Sequence, residues 1–507
     1  MSRINTNVSS LIAQRILGQQ NLSLNKSLER LSTGLAINRG ADNPAGLIAS
    51  ERLRSEKTAL SAAIGNAERA DQVLNIAEGG LQEINLLLLD LQNLVGQSAN
   101  EAGLSREEKE ANQLQIDAIL QTIDRLSETS TFGGVKLLNG TFDFTVSGQD
   151  TDIENFTINA AKLEHGDTRN VNVVVTASAQ HAGLYLSAAA QQLDLTATTS
   201  AFTIEIAGAK GSREFTFASG TALSAISDSI NTFKSVTGVS AVTIQSGTSD
   251  GVLLKSDVFG SNAFVSVDVI NDGGQAGAIH SLVAADENAV DAAAATAYTA
   301  VTNPIRDEGQ DVVAIINGIN STANGKTATV NTDFLNLTVD LSDTGATTLA
   351  AISAFAITGG GARFNLGPAV NITNQMSIGI RNIAARHLGS TTIEGSVFQL
   401  DDLAAGKDLN VVDGNLQAAQ GVIDTAVSQV SSLRGRIGAF QSNVIESTIR
   451  SLGVTFENTA AAESAIRDTD FAGETANLTR SQILVNAAST VLSIANTQPQ
   501  NVLALLQ

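Results

Sequence analysis

Leu81-Gln82-Glu83-Ile84-Asn85-Leu86-Leu87-Leu88-Leu89-Asp90-Leu91-Gln92-Asn93-Leu94-Val95 closes the stretch whose reading decides the fold. Stepped by threes and fours from Leu60, the chain gives Leu60, Ala63, Ala67, Ala70, Leu74, Ala77, Leu81, Ile84, Leu88, Leu91 and Val95, all apolar, with Gln72, Asn75, Glu78, Gln82, Glu83 and Asn85 between them. A mean step of about 3.5 residues is the seam period of a coiled coil. No proline interrupts the run after Pro44. A helix from Gly46 to Val95 would be roughly 75 Å long at about 1.5 Å per residue. Such a rod needs a second long helix beside it, or copies of itself.

The second rod lies near the other end. Leu416, Ala419, Ile423, Ala426, Val430, Leu433, Ile437, Phe440 and Val444 repeat the same spacing. The simplest solution packs the two seams on each other, so the chain leaves as a helix, makes a large excursion and returns antiparallel. The expected fold class is α+β and multidomain: long antiparallel coiled-coil helices from both chain ends, with a β-rich outer insertion.

The chain has 507 residues, room for several domains. Its 30 Lys+Arg against 51 Asp+Glu give a net charge of −21, which argues against nucleic acid or an anionic membrane as partner. Cysteine is absent, so disulfides and thiolate metal sites are excluded. The start, Met1-Ser2-Arg3-Ile4-Asn5-Thr6, lacks the basic-then-apolar pattern of a cleavable signal. No stretch approaches the roughly 18 consecutive apolar residues of a membrane span. The expectation is a soluble protein which, if it leaves the cell, does so without that signal.

In order, residues 5–33 form a first amphipathic segment with Leu17, Leu24, Leu28 and Leu31 at helical spacing, and Gly34 as a stop. Residues 34–45 read as a linker, with Asp42 or Asn43 capping the long helix. Ser105 and Glu108 form a capping box for a third helix faced by Ile116, Ile119, Ile123 and Leu126. Gly133-Gly134 ends the helical half, and a hairpin is expected around Asn139-Gly140, between 135–138 and 142–146. Short strands follow at 156–158, 171–175, 202–206, 215–217, 242–244, 252–254, 264–270 and 335–341, with one helix over 222–233. Two small modules are expected, from Phe202 to Ile270 and from Val312 to Leu341. Residues 180–358 hold 6 Lys/Arg and 17 Asp/Glu, a net of −11, about half the total charge. The C-terminal seam helix is expected over about 410–450, a break at Leu452-Gly453-Val454, and a last helix over about 460–496 that Pro499 interrupts. Val502-Leu503-Ala504-Leu505-Leu506 then forms an apolar tail, a liability unless other subunits bury it.

Several stretches carry a family likeness. They are Ile4-Asn5-Thr6-Asn7, Leu28-Glu29-Arg30-Leu31-Ser32-Thr33-Gly34-Leu35-Ala36-Ile37-Asn38, Asp42-Asn43-Pro44-Ala45-Gly46, Gln97-Ser98-Ala99-Asn100 and Phe132-Gly133-Gly134-Val135-Lys136-Leu137-Leu138 near the start. Glu463-Ser464-Ala465-Ile466-Arg467-Asp468-Thr469-Asp470-Phe471-Ala472 and Gln498-Pro499-Gln500-Asn501-Val502-Leu503-Ala504-Leu505-Leu506 match near the end. With them the chain resembles bacterial flagellin over roughly its first 140 and last 100 residues.

The resemblance implies three layers: residues 1–42 and 459–507 as a terminal helical domain lining a filament channel, 43–179 and 359–458 as a long-helix shell with a β-hairpin, and 180–358 as a variable surface-exposed outer part. It implies a structural subunit that polymerises into the filament by folding its terminal helices on assembly, for motility. It also implies type III export with an export chaperone, an extracellular location, and cap and hook-associated proteins as partners besides the chain itself. A hook–filament junction protein, which has similar ends, is the alternative. The residues expected to carry packing and assembly are Leu24, Leu28, Leu31, Leu74, Leu81, Ile84, Leu88, Leu91, Ile423, Val430, Leu433, Ile437, Leu484, Val491 and Leu492. In flagellins sensed by Toll-like receptor 5, an arginine precedes the segment matched by Gln97-Ser98-Ala99-Asn100. Here Leu89 and Leu94 fit the pattern, but Asp90 stands at the arginine's place, which implies weak or no sensing because a carboxylate cannot replace a guanidinium fork.

Catalysis finds no support. His165, His181, His280 and His387 are isolated and none has HExxH spacing. Asp286-Glu287 and Asp307-Glu308 read as solvated surface, without calcium-loop spacing. No cofactor is expected. Gly46 and Gly65 read as packing positions inside the long helix. The Ser/Thr-rich middle suits either O-linked glycans or ordinary surface.

Overall fold

The computed structural model describes residues 6–100, 103–164, 166–188, 190–195, 200–244, 250–283, 286–393 and 396–504. Helix α1 spans Val8–Thr33, α2 Pro44–Ser98 and α3 Arg106–Thr129. The middle carries short helices α4 (Leu223–Thr232), α5 (Lys234–Thr237) and α6 (Asp343–Thr347). The chain returns as α7 (Leu416–Ala439), a π-helical turn (Phe440–Ile445), α8 (Glu446–Arg467) and α9 (Phe471–Ala504). Two compact units result: Met1–Glu78 with Phe364–Gln375 and Arg434–Gln507, and Gly79–Arg363 with Met376–Leu433.

In the first unit the early half of α2 runs antiparallel to α8. Its stripe residues Leu60, Ala63, Ala67, Ala70, Leu74 and Ala77 are all buried. Polar pairs flank the seam: Arg467 Nη1 to Glu51 at 2.8 Å, Lys57 to Glu463, Gln441 Nε2 to Asp71 at 3.0 Å, and Arg434 Nε and Nη2 to Glu78 Oε1 at 3.0 and 2.8 Å. These pairs lie at the partly exposed margin of the seam, where surface ion pairs contribute about 0–1 kcal/mol each. Each buried Leu or Ile contributes about 1.5–3 kcal/mol. The stripe therefore holds the helices together and the ion pairs set their register.

The return stripe is regular through Ile437, then slips. Ile445 is fully buried, whereas Phe440 and Val444, the expected next positions, are half-buried. From Ile445 the covered positions run on as 449, 452, 456, 459, 463 and 466. The step from Ile437 to Ile445 is one residue longer than two turns of the seam, and the π turn absorbs that residue. The helix therefore does not break at Leu452-Gly453-Val454; it continues to Arg467. The break falls at Asp468-Thr469-Asp470, where Asp470 Oδ1 accepts from Ala472 and Gly473 N–H. The last helix includes position 499, so Pro499 does not end it. The side chains of the expected tail 502–506 lie outside the described residues. Gly46 is a packing position, since a Cβ there would meet Ile37 Cδ1 at 2.8 Å, whereas Gly65 faces open space.

The second unit continues the stripe with Leu81, Ile84, Leu88, Leu91 and Val95, buried together with Ile423, Val430 and Leu433 of α7 and Ile116, Leu120 and Ile123 of α3. The capping box forms as expected: Ser105 Oγ accepts from Glu108 N–H and Glu108 Oε2 from Ser105 N–H. Helix α3 also straps down the irregular segment before α7. Buried Gln113 donates to Leu403 O and accepts from Val411 N–H, Asp117 accepts from Ala405 N–H, and Asp124 accepts from Ala385 N–H.

The hairpin is not at Asn139-Gly140. It joins β1 (Thr131–Phe132) to β2 (Val135–Lys136) through Gly133 and Gly134, both at positive φ (58° and 84°), as a two-residue turn requires. Phe144–Ser147 pairs instead with a strand more than 200 residues away.

The β-rich part is two face-to-face sandwiches. In the first, one sheet has the order β16 (Ile319–Asn320), β15 (Val313–Ile316), β5 (Arg169–Ala177), β20 (Ala351–Gly360), β3 (Phe144–Ser147). The other has β17 (Thr322–Asn324), β18 (Thr327–Asn331), β19 (Leu335–Leu341), β4 (Ile153–Ala161). Leu335, Leu337, Val339 and Leu341 alternate inward against Val171, Val173 and Val175. Residues 144–177 thus share a core with 312–357, and the β-rich part begins well before residue 180.

The second sandwich is inserted between β5 and β15. One sheet has the order β13 (Asp286–Ala297), β12 (Ala278–Val283), β6 (His181–Ala188), β10 (Asp250–Phe259), β9 (Val239–Ile244). The other has β14 (Ile305–Glu308), β11 (Phe264–Asn271), β7 (Ala201–Gly208), β8 (Gly211–Ala218). Leu184, Leu186, Ile204, Ile206, Val265 and Val267 meet in its core, capped by Ile226 and Ile230 of α4.

Deleting Ser442 removes the extra residue of the π turn and leaves a straight helix with both stripes in phase. The expected outcome is a melting temperature within a few degrees of the native protein. Deleting Thr455 from the regular part of α8 rotates everything after it by about 100° and is expected to lower melting markedly. Equal losses from the two deletions in differential scanning calorimetry would show that the π turn is not a phase correction.

Candidate assembly surface

Helices α1 and α9 pack antiparallel along a narrow seam. On α1 the covered positions are Ser10, Ala13, Leu17, Gln20, Leu24, Ser27 and Leu31. On α9 they are Glu474, Leu478, Ser481, Val485, Ala488, Leu492 and Ala495. Both sets keep strict three-four spacing. The buried members are small or polar (Ser10, Ala13, Ser27, Ser481, Ala488, Ala495 and Glu474), while the leucines are half-buried. Small residues let the backbones approach, so the larger side chains sit astride the seam.

One end is pinned by Asn7 Nδ2 donating to Ala495 O at 2.7 Å and Ser10 Oγ donating to Asn496 Oδ1 at 2.6 Å. The other carries Arg30 Nη1 beside Glu474 at 3.5 Å.

Not every residue expected to pack does so inside this chain. Leu24, Leu31 and Leu492 lie on the seam and are half-buried. Leu74, Leu81, Ile84, Leu88, Leu91, Ile423, Val430, Leu433 and Ile437 are buried in their own units. Leu28 (47% exposed), Leu484 (41%) and Val491 (55%) are not buried. The seam uses Ser27, Val485 and Leu492, one position away from those side chains. A stripe drawn through the leucines misses this, because seam alanines and serines look unremarkable.

The result is a second apolar face left exposed among the described residues. On α9 it runs through Leu484, Ala487, Val491 and Ile494, joined by Ile483; on α1 it includes Leu11, Ile12, Ile16 and Leu22. Exposed apolar rows of this kind are a candidate interaction surface.

Residues 34–45, read as a linker, are held at many points up to the start of α2 at Pro44. Ala36 N–H donates to Arg467 O at 2.7 Å and Thr469 N–H to Gly34 O at 2.9 Å, an antiparallel bridge pairing Leu35 with Asp468. Asp42 is the hub: it meets Lys26 Nζ at 2.9 Å and accepts from Arg39 N–H at 3.0 Å and Asn38 N–H at 3.3 Å. The lysine first, then the amides, hold its carboxyl down at about 2. Asn43 Oδ1 accepts from Gly46 N–H and caps α2.

The receptor-site equivalents sit at the end of α2. Leu89 is 44% exposed and Asp90 is exposed; Leu94 is only 9% exposed and faces the core. His181 stacks on Phe259, His280 Nε2 lies 3.3 Å from Ser187 Oγ, and His387 is exposed; His165 lies outside the described residues. No group of three His, Cys, Asp or Glu could hold a metal among the described residues. The Asp307 carboxylate is not plain surface: it accepts from Gly183 N–H at 2.7 Å, and burial raises its pKa. The side chains of Asp286 and Glu287 lie outside the described residues. Among the described residues, no helix is long and apolar enough to cross a membrane.

Two family models match: the bacterial flagellin N-terminal helical region over residues 4–143 and the C-terminal helical region over 420–506. The flagellin of Salmonella typhimurium is 30% identical over 529 residues, covering 99% of each chain. Flagellin B of Helicobacter pylori is 27% identical, covering 100% of this chain and 99% of its own. The B-type flagellin of Pseudomonas aeruginosa is 29% identical, covering 99% of each. Among solved structures, the D1-D2-D3 domains of the flagellar cap protein from Escherichia coli are 14% identical, cover 68% of this chain and 89% of their own, and superpose with a TM-score of 0.26.

The Asp42 hub is tested by acid. Its depressed pKa means the clamp is fully formed above the unfolded value near 4 and is lost as pH falls through about 2. The Asn38 and Arg39 amide resonances are expected to titrate with a midpoint of about 2, and Asp42→Asn to remove that transition; a midpoint near 4 would show an unclamped carboxylate.

The two family matches fall on the helices that build the seam and its open face, the relatives match from end to end, and the chain belongs to the bacterial flagellin family, the structural subunits of the extracellular flagellar filament.

Proposed function

We propose that this flagellin polymerises by covering the open apolar face of the α1–α9 pair with the same pair from neighbouring subunits. The observation that carries this reading is the row Leu484, Ala487, Val491 and Ile494, exposed beside a seam too narrow to hide it. Ordering the terminal pair costs conformational entropy, and its own seam buries few large side chains. Folding of the ends is then completed on assembly, as coupled folding and binding. In this reading α1 and α9 line the channel, the long helices form the shell around them, and the two sandwiches project outward. The excess negative charge of the middle suits a solvated surface. The role proposed is structural and needs no catalytic centre.

The same open face suits an export chaperone that shields α9 before assembly. Cap and hook-associated proteins would meet it at the ends of the polymer. The full-length match to flagellins favours the filament over the hook–filament junction.

Val491→Asp separates assembly from folding. Covering a valine contributes about 1.5–3 kcal/mol, so losing it at one contact raises the critical concentration for polymerisation by roughly tenfold or more. Circular dichroism of the monomer is expected to stay native, since Val491 touches no internal seam. Leu492→Asp strikes the internal seam and is expected to weaken the monomer's helix pair as well. Normal filaments from Val491→Asp in electron microscopy would refute the assignment.

The reversed charge at Asp90 and the burial of Leu94 support weak sensing by Toll-like receptor 5. A receptor reporter assay is expected to give a low response to the native protein and a higher one to Asp90→Arg. A full-strength native response would overturn this.

A further inference from the structure

The chain passes between the two sandwiches twice, at residues 178–182 and 308–312. Two such crossings could be a loose tether, but here they are bonded to each other and to both sandwiches. Gln180 N–H donates to Gln310 O at 2.9 Å and Gln310 N–H returns to Gln180 O at 3.0 Å. Ala179 N–H is fixed to Ala346 O in the first sandwich, and Gly309 N–H to Ala263 O in the second.

Asp311 sits between the two. Its Oδ1 accepts from Gly325 N–H of the first sandwich at 2.7 Å and from Ser261 N–H of the second at 3.0 Å; its Oδ2 accepts from Ser261 Oγ at 2.5 Å. Asn262 Nδ2 donates to Asn324 Oδ1 at 3.0 Å beside it. The contact is close enough to need glycine. A Cβ on Gly260 (φ 106°) would stand 2.5 Å from Gly325 Cα, and one on Gly309 would stand 2.5 Å from Gly260 O.

We propose that Asp311 is a latch that makes the two β-sandwiches one rigid body, so that every subunit presents its outer surface in a single fixed pose. One carboxylate satisfies donors from both sandwiches, and hydrogen bonds to a charged group contribute about 1.5–3 kcal/mol, more than neutral ones. The backbone bridge between Gln180 and Gln310 stops the crossings from splaying. The Asp311 carboxylate takes donors from both sandwiches at once, which makes it the position to test.

The absence of cysteine gives a clean background for paired spin labels. Leu349→Cys in the first sandwich and Val242→Cys in the second are both exposed sites. Electron–electron double resonance on the labelled full-length protein is expected to give a single narrow distance distribution. Asp311→Ala is expected to broaden it at least twofold. Asp311→Asn, whose Oδ1 can still accept both N–H groups while its amide donates to the Ser261 hydroxyl, is expected to restore the native width. Should Asp311→Ala fail to fold, Ser261→Ala removes one of the three donors and is expected to broaden the distribution to a smaller extent. A native distribution already broad, or one unchanged by Asp311→Ala or, in its place, by Ser261→Ala, would overturn the proposal.

Discussion

The uninterrupted burial of the α2 stripe from Leu60 to Val95 is the constraint on which the rest of the molecule depends. A helix of 55 residues cannot bury such a stripe within itself. It must be met along its length by other segments, here the neighbouring α3 and, from far away in sequence, α7 and α8. That requirement brings the two ends of the chain together. It also leaves the middle free to vary, because the middle has only to begin and end near one place.

Module boundaries are handled by one device used twice. Where the chain leaves the terminal helix pair and returns, Leu35 pairs with Asp468; where it enters the inserted sandwich and returns, Gln180 pairs with Gln310. In both places two antiparallel crossings form an isolated β-bridge. An acidic side chain next to each bridge gathers backbone N–H groups, Asp42 at the first and Asp311 at the second. A paired crossing resists bending and twisting in a way a single linker does not, because each strand restrains the other. The restraint comes from local backbone bonds, so the packed elements on either side can differ without disturbing it.

Much of this was legible in the residues, for physical reasons that also mark where reading stops. The long stripes were readable because burial along a helix demands strict periodicity, and so was the Ser105 capping box, because its geometry is local. The strands over 171–175 and 335–341 were readable from alternation. The strands 181–188, 278–283 and 351–360 were not, being rich in Ala, Gly and Ser and paired through partners distant in sequence. Gly133-Gly134 carries the right turn chemistry but reads equally as a helix stop, which puts the expected hairpin one turn too late. The phase slip between Ile437 and Ile445 was present as an eight-residue step. Phe440 and Val444 mimicked a continued stripe, and Gly453 looked like an end. Gly453 faces open space and the helix simply runs through it.

The proposed assembly surface is the part least legible in the residues, for a physical reason. A seam that closes on itself selects for the largest apolar side chains, which is why Leu81, Ile84 and Leu88 announce the shell helices. The α1–α9 seam does the reverse: it buries Ser10, Ala13, Ser27, Ser481, Ala488 and Ala495 and leaves Leu28, Leu484 and Val491 outside. For a protein that works alone this arrangement is unfavourable. For a subunit whose ends are finished by its neighbours it is the economical solution, because the large side chains are reserved for the contact made last. In the proposed assembly, a weak internal seam beside an open apolar face ties the order of the chain ends to polymer growth, so that stability of the terminal pair and addition of the next subunit become one equilibrium.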